Sequence, residues 1–234
     1  MLPTPLKPHT HPARLHTQKW RGRVGLALVA MLSVLAGMTD AIGFMASGDF
    51  VSFMSGNTTR LAVAVSNGDV NLVLRLTLLV VTFVASNALG IVVGRLTRRR
   101  TLPLLLCIAA LLCAAAAWPL DNQLPALLGA ITAMGMLNAA VEEVNGFPVG
   151  LTYVTGALSR FGRGLGRWML GERRNGWRVQ LIPWTGMFAG AVIGALLEQH
   201  LGMRALFASG VLSAILGVAS LKIPRRWQLA YMPK

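Results

Sequence analysis

Two short polar stretches hold the residue types best suited to recognising a solute. One reads Ser55-Gly56-Asn57-Thr58-Thr59-Arg60 and the other Thr155-Gly156-Ala157-Leu158-Ser159-Arg160. Hydroxyl and amide side chains orient a guest by hydrogen bonds, and a guanidinium favours a negative one. Each stretch has glycine for a turn and Ser, Asn or Thr for a helix start, and the partial positive charge of a helix N-terminus adds to that of the arginine. The chemistry expected is anion binding at Ser55, Gly56, Asn57, Thr58, Arg60, Thr155, Gly156 and Arg160. Asp40 lies beside them, able to carry a proton or a cation. Each has a competing structural role: Arg60 pairing with Asp40 or reaching for the surface, Asp40 capping a broken helix, and Arg160 joining Arg163 and Arg167 on a solvated basic face.

The surroundings of these stretches are those of a membrane protein. Apolar residues make up 54% of the chain and charged residues only 13%, about half the share usual in soluble domains. The net charge of +14 gathers in clumps between apolar runs, at Lys19 to Arg23, Arg95 to Arg100, Arg160 to Arg178 and Lys222 to Arg226. That is membrane-flanking charge, and nucleic acid is not expected as a partner. Cys107 and Cys113 have neither disulfide nor metal spacing, and His9, His11 and His16 fall in a proline-rich tail.

Six apolar runs reach the ~20 residues that ~30 Å of hydrocarbon requires. They cover residues 24–47, 70–94, 102–120, 124–144, 179–199 and 205–221. The two polar stretches lie between runs and match each other. Phe53-Met54-Ser55-Gly56 aligns with Tyr153-Val154-Thr155-Gly156, Gly37-Met38-Thr39-Asp40-Ala41 with Gly135-Met136-Leu137-Asn138-Ala139, and Ser86/Gly90 with Gly190/Gly194. The chain therefore reads as a duplication with a period of about 100 residues.

Charge decides the expected topology. If both polar stretches crossed, the Arg95–Arg100 cluster would fall outside, against the positive-inside rule. If both dip in and return, every basic cluster lies inside, with Asp49, Asp69, Asp121 and Glu198 at the outer ends. The fold expected is an all-α membrane protein of six transmembrane helices in two inverted repeats, each with a re-entrant half-helix. The organisation expected is a disordered basic tail over 1–23, one membrane domain over 24–222 (repeats at about 24–120 and 124–221) and a cytoplasmic tail over 223–234.

The stretch Gly37-Met38-Thr39-Asp40-Ala41-Ile42-Gly43-Phe44, followed by Phe50-Val51-Ser52-Phe53-Met54-Ser55-Gly56-Asn57-Thr58-Thr59-Arg60, resembles the signature of the YoaK family, as does Thr152-Tyr153-Val154-Thr155-Gly156. The resemblance spans residues 24–221. It implies a bacterial integral membrane protein and brings no activity, substrate or verified site.

Function must then come from the residues. The leading expectation is a transporter or channel for a small, anionic solute in the bacterial inner membrane, with both termini cytoplasmic. A non-transporting scaffold or regulator is the alternative, and an intramembrane hydrolase using Ser55 is a second, which lacks a nearby general base. No phosphate loop, His-Glu-x-x-His or paired-Cys site is present, so no enzyme activity, metal or cofactor is expected. The partners expected are the bilayer and the solute, with a second copy of the chain left open.

Overall fold

The computed structural model describes residues 12–119, 121–144, 147–148, 151–152, 154–172 and 176–233. Helix α1 runs Pro12–Ser47, so the run expected to begin at residue 24 starts inside a longer helix. The tail expected over 1–23 has its first eleven residues outside the described part and the rest in α1.

The chain leaves α1 at Gly48, whose φ of +74° is the left-handed conformation that glycine tolerates. An irregular segment leads to α2 (Met54–Asn67). Gly68, again left-handed, ends α2, and its N–H bonds the carbonyls of Ala64 and Val65. Asp69 then caps α3 (Val70–Leu96) by accepting the N–H of Leu72 at 3.0 Å. Next come α4 (Thr101–Ala116) and α5 (Leu124–Leu137), which starts with proline in its first turn. A two-residue antiparallel pair, β1 (Glu143–Val144) and β2 (Phe147–Pro148), precedes α6 (Val154–Met169). A 3₁₀ turn at Trp177–Gln180 opens α7 (Leu181–Leu201), and another at Gly202–Ala205 joins it to α8 (Leu206–Ala219). The short α9 (Arg225–Tyr231) closes the described chain.

The six-span expectation needs correction. Among the described residues three helical stretches, not six, are long and apolar enough to cross a membrane: Trp20–Ser47, Val70–Leu96 and Trp177–Lys222, the last holding α7, the 3₁₀ turn at Gly202–Ala205 and α8. At 1.5 Å per residue, the 16 residues of α4 reach about 24 Å and the 14 of α5 about 21 Å, short of ~30 Å of hydrocarbon. The residues after Ala116 and Leu137, apolar though many are, leave the helix in turns. The protein is an all-α, multi-pass membrane protein with three such helices. Its outer surface fits that medium: Leu74, Leu78, Val81, Val84 and Val92 of α3 and Phe188, Val192 and Leu196 of α7 are all exposed.

The helices pack in pairs. Helix α1 packs on α7, and α5, its counterpart by sequence, packs on α3, the counterpart of α7. Helices α4 and α8 pack on each other, α2 lies on α3, and α6 lies on α7. The core is built from Leu32, Leu35, Leu104, Ile108, Leu127 and Ile131, all fully buried. The α1–α7 seam is made by small residues. A Cβ on Gly37 would lie 2.0 Å from the Met187 carbonyl oxygen, and one on Gly190 2.0 Å from that of Val34. Backbones in van der Waals contact supply the attraction that hydrophobic burial cannot supply within lipid.

Candidate functional site

The polar stretch of the first half surrounds the break between α1 and α2. Asp40, 8% exposed on α1, does not pair with Arg60. Its Oδ1 accepts the backbone N–H of Val51 at 2.8 Å and of Ser52 at 2.7 Å. Unpaired amides at that depth would be costly, and one carboxylate oxygen satisfies two of them. Asn57 clamps the same segment from the other side. Its Nδ2 donates to the Phe50 carbonyl at 2.7 Å, and its Oδ1 accepts the Phe50 N–H at 3.2 Å. The turn expected at Gly56 falls at Gly48 instead. Gly56 sits within α2, where a Cβ would collide with the rings of Phe53 and Phe50 at 2.5 and 2.9 Å. Neither Ser55 nor Asn57 caps the helix; the N-cap position is Phe53, which makes no side-chain cap.

Arg60 turns away from Asp40 to the end of α1. Its Nη1 donates to Asp49 Oδ1 and to the Gly48 carbonyl, both at 2.6 Å. Arg75, in the second turn of α3, donates from Nε to the other oxygen of Asp49 at 2.7 Å. Asp49 is buried, while both arginine side chains stay more than a third exposed. Two guanidiniums on one carboxylate leave the cluster one positive charge in excess. Asp49, expected only at an outer end, and Arg75, a residue the polar stretches do not contain, are thus both part of this cluster. The signal for both was an arginine inside the apolar run 70–94, which must find a partner.

The second half repeats the design with other side chains. Asn138 replaces Asp40: its Oδ1 accepts from Thr152 Oγ1 at 3.2 Å, and its Nδ2 donates to Asn87 Oδ1 at 3.0 Å. Ser52 and Thr152 occupy equivalent positions, so both halves tie this residue to the loop before the short helix. Arg160 donates from Nε to Gln180 Oε1 at 2.8 Å, a neutral partner that also leaves one positive charge. Tyr153, part of the repeat match, lies outside the described residues.

Burial runs in register through both stretches. Val51, Ser52 and Asn57 are buried, as are Leu151, Thr152 and Ala157. Ser55, Thr58 and Thr59 are exposed, as are Thr155, Leu158 and Ser159, and Arg60 and Arg160 are half-buried. The hydroxyls of Thr58 and Thr59 donate back to the carbonyls of Met54 and Ser55 one turn earlier. The structure thus brings Ser55, Gly56, Asn57, Thr58 and Arg60 together on α2, and Thr155, Gly156 and Arg160 together on α6. The two sets were expected around one central cavity, but each short helix packs on the long helix that follows it, with no substantial contact between α2 and α6. The larger cavities described lie at the two ends of the α4–α8 pair.

The family described as "Protein of unknown function (DUF1275)" matches residues 28–219, which includes both short helices. The chain is 52% identical over 214 residues to a UPF0700 transmembrane protein of Rhizobium meliloti (strain 1021), covering 91% of this chain and 93% of that one. No solved structure matches it. The duplicated signature around the two short helices, the apolar helices that carry it and this extent of similarity make the chain a multi-pass membrane protein of the DUF1275/YoaK family.

Proposed function

We propose that this protein moves a small anionic solute across the bacterial inner membrane, along the polar faces of α2 and α6. The observation that carries this reading is the matched pair of faces: exposed hydroxyls on each short helix, next to an arginine cluster with one positive charge in excess. Hydrocarbon cannot satisfy such a face, so water, a solute or protein must cover it. An excess guanidinium charge selects the anion, and the uncommitted hydroxyls of Ser55 and Thr155 orient it.

Both termini face the cytoplasm in this reading. Arg225 donates to the Arg98 carbonyl, Arg99 to that of Met232, and Tyr231 to that of Arg21, so the two terminal basic clusters and the α3–α4 turn share one end of the molecule. The positive-inside rule puts that end in the cytoplasm.

A scaffold role is the second reading. It is favoured by the commitment of Asp40, Asn57 and Asp49 to holding backbone and arginines in place. A second copy covering the polar faces would then take the place of solute. Reconstitution into liposomes separates the two: transport predicts flux of chloride, nitrate, acetate or phosphate above protein-free vesicles, reduced in Arg60→Gln and Arg160→Gln. Absence of flux for all four anions, from protein that runs as a dimer or larger, would establish the scaffold instead.

A further inference from the structure

A cavity of about 470 Å³ opens at the arginine-rich end of the α4–α8 pair. Arg100, Leu102 and Pro103 line it from the start of α4, Ser220, Leu221, Ile223 and Pro224 from the chain after α8, and Arg225 and Gln228 from α9. We propose that it binds the head group of an anionic phospholipid, such as phosphatidylglycerol.

The wall shows which groups are free to bind. Gln228 is committed: its Nε2 donates to the carbonyls of Ser220 and Ile223, and its Oε1 accepts the Thr101 N–H. The Ser220 hydroxyl donates to the Gly217 carbonyl. Arg225 uses Nη2 on the Arg98 carbonyl and keeps its other N–H groups. The Arg100 side chain makes no hydrogen bond or ion pair among the described residues, its backbone N–H bonding the Thr97 carbonyl, and no carboxylate lines the cavity. The uncommitted polar groups of this wall are therefore two exposed guanidiniums, donors matched to a phosphodiester.

Their placement is built into the backbone. Arg98 and Arg99 both hold positive φ, 54° and 56°, a left-handed conformation uncommon for residues other than glycine. It lets Arg99 reach the Leu229 and Met232 carbonyls of the α9 segment while Arg100 falls on the cavity wall.

The apolar part of the wall separates a lipid from free phosphate. Leu102, Pro103, Leu221, Ile223 and Pro224 offer an inorganic ion nothing. Leu221 is 64% exposed and ends a row on the outer face of α8 with Val211, Ile215 and Val218. Acyl chains laid along that row would bring the phosphodiester to the arginines, as in basic lipid pockets at the cytoplasmic face.

The test uses the full-length protein purified in neutral detergent. Retained lipid is counted by native mass spectrometry after exposure to phosphatidylglycerol or to phosphatidylcholine with the same chains, and melting is followed with either lipid or with inorganic phosphate alone. The expected result is preferential retention of phosphatidylglycerol, a higher melting temperature with it than with phosphatidylcholine, and no shift with phosphate. Each arginine should contribute roughly fivefold in affinity, so Arg100→Gln with Arg225→Gln should lose roughly twentyfold or more. Arg226→Gln, exposed and off the wall, should bind as the wild type does. Arg100→Gln alone, which removes no contact within the protein, should lose roughly fivefold and serves if the double variant misfolds. Equal retention of the two lipids, an unaffected Arg100→Gln variant, or an equal loss in Arg226→Gln would overturn the assignment. A melting shift with inorganic phosphate as large as that with phosphatidylglycerol would make the site one for a free anion.

Discussion

Arg60 is bound to Asp49, eleven residues before it, at 2.6 Å, and not to Asp40. This pairing sets the direction of the α2 arginine: it faces the end of α1, where Arg75 completes the cluster.

The first prediction follows from that carboxylate. Asp49 is buried and holds two arginines, so Asp49→Ala strands both. Breaking a fully buried pair costs about 3–5 kcal/mol. The guanidiniums here are partly solvated, so the loss should be nearer 2–3 kcal/mol, read as a lower melting temperature in detergent. Arg75→Gln, which leaves Arg60 on Asp49, should cost less than half of that.

Asp40 should behave as an acceptor, not as a charge. Asp40→Asn keeps an oxygen for the Val51 and Ser52 amides, and Asn138 already fills the equivalent place in the second half. Its cost should stay below about 1 kcal/mol, whereas Asp40→Leu orphans two buried N–H groups and should cost roughly 2–4 kcal/mol. Urea melts of the two variants compare these directly. A folded Asp40→Asn protein that has lost all anion flux would show instead that the carboxylate carries a proton.

Gly190→Ala should open the α1–α7 seam. Its new methyl would sit 2.0 Å from the Val34 carbonyl oxygen, which belongs to rigid helix backbone. The expected loss is at least about 2–3 kcal/mol, and a cysteine pair across the seam should cross-link more slowly. Gly162→Ala on α6, with nothing within 4 Å of the added carbon, should be neutral or stabilising by up to about 1 kcal/mol.

Tyr231 fastens α9 to α1. The ring is 1% exposed, and its hydroxyl donates to the Arg21 carbonyl at 2.6 Å. Burial raises its pKa above the ordinary 10.0, opposed by the nearby Arg21 charge. The folded state therefore holds the proton longer than the unfolded chain. Its contribution to stability is complete below the ordinary tyrosine value and is lost as pH climbs toward the raised one. Tyr231→Phe should cost about 1 kcal/mol at neutral pH. Its stability should then fall less steeply than the wild type's in melts between the ordinary value and the raised one.

Replacing the α2 and α6 arginines tests the transport reading. Arg60→Gln and Arg160→Gln each remove one excess charge beside an exposed hydroxyl face. Each should lower anion flux in liposomes about tenfold, the factor for one charge-assisted contact of ~1.4 kcal/mol, with abundance preserved for Arg160→Gln because its partner is neutral. Fluxes unchanged in both variants would remove α2 and α6 from the path.

Composition alone pointed to the medium, and the matched motifs to two like short helices. Apolar runs bounded by arginine clumps can be stable only in a bilayer, and a repeat of about 100 residues preserves the two short helices down to which positions are buried. The sequence did not determine how far each run stays helical, because the turns after Ala116 and Leu137 depend on packing against neighbours; three helices rather than six reach the length of a crossing. Nor did it determine the partner of each charge. Asp40 and Asp49 are both near Arg60 along the chain, and only the fold of the 48–53 segment carries Asp49 to the arginine while backbone amides occupy Asp40. The relation of α2 to α6 is tertiary for the same reason. Local sequence makes two like helices, but the packing of α2 on α3 and of α6 on α7 decides where each lies.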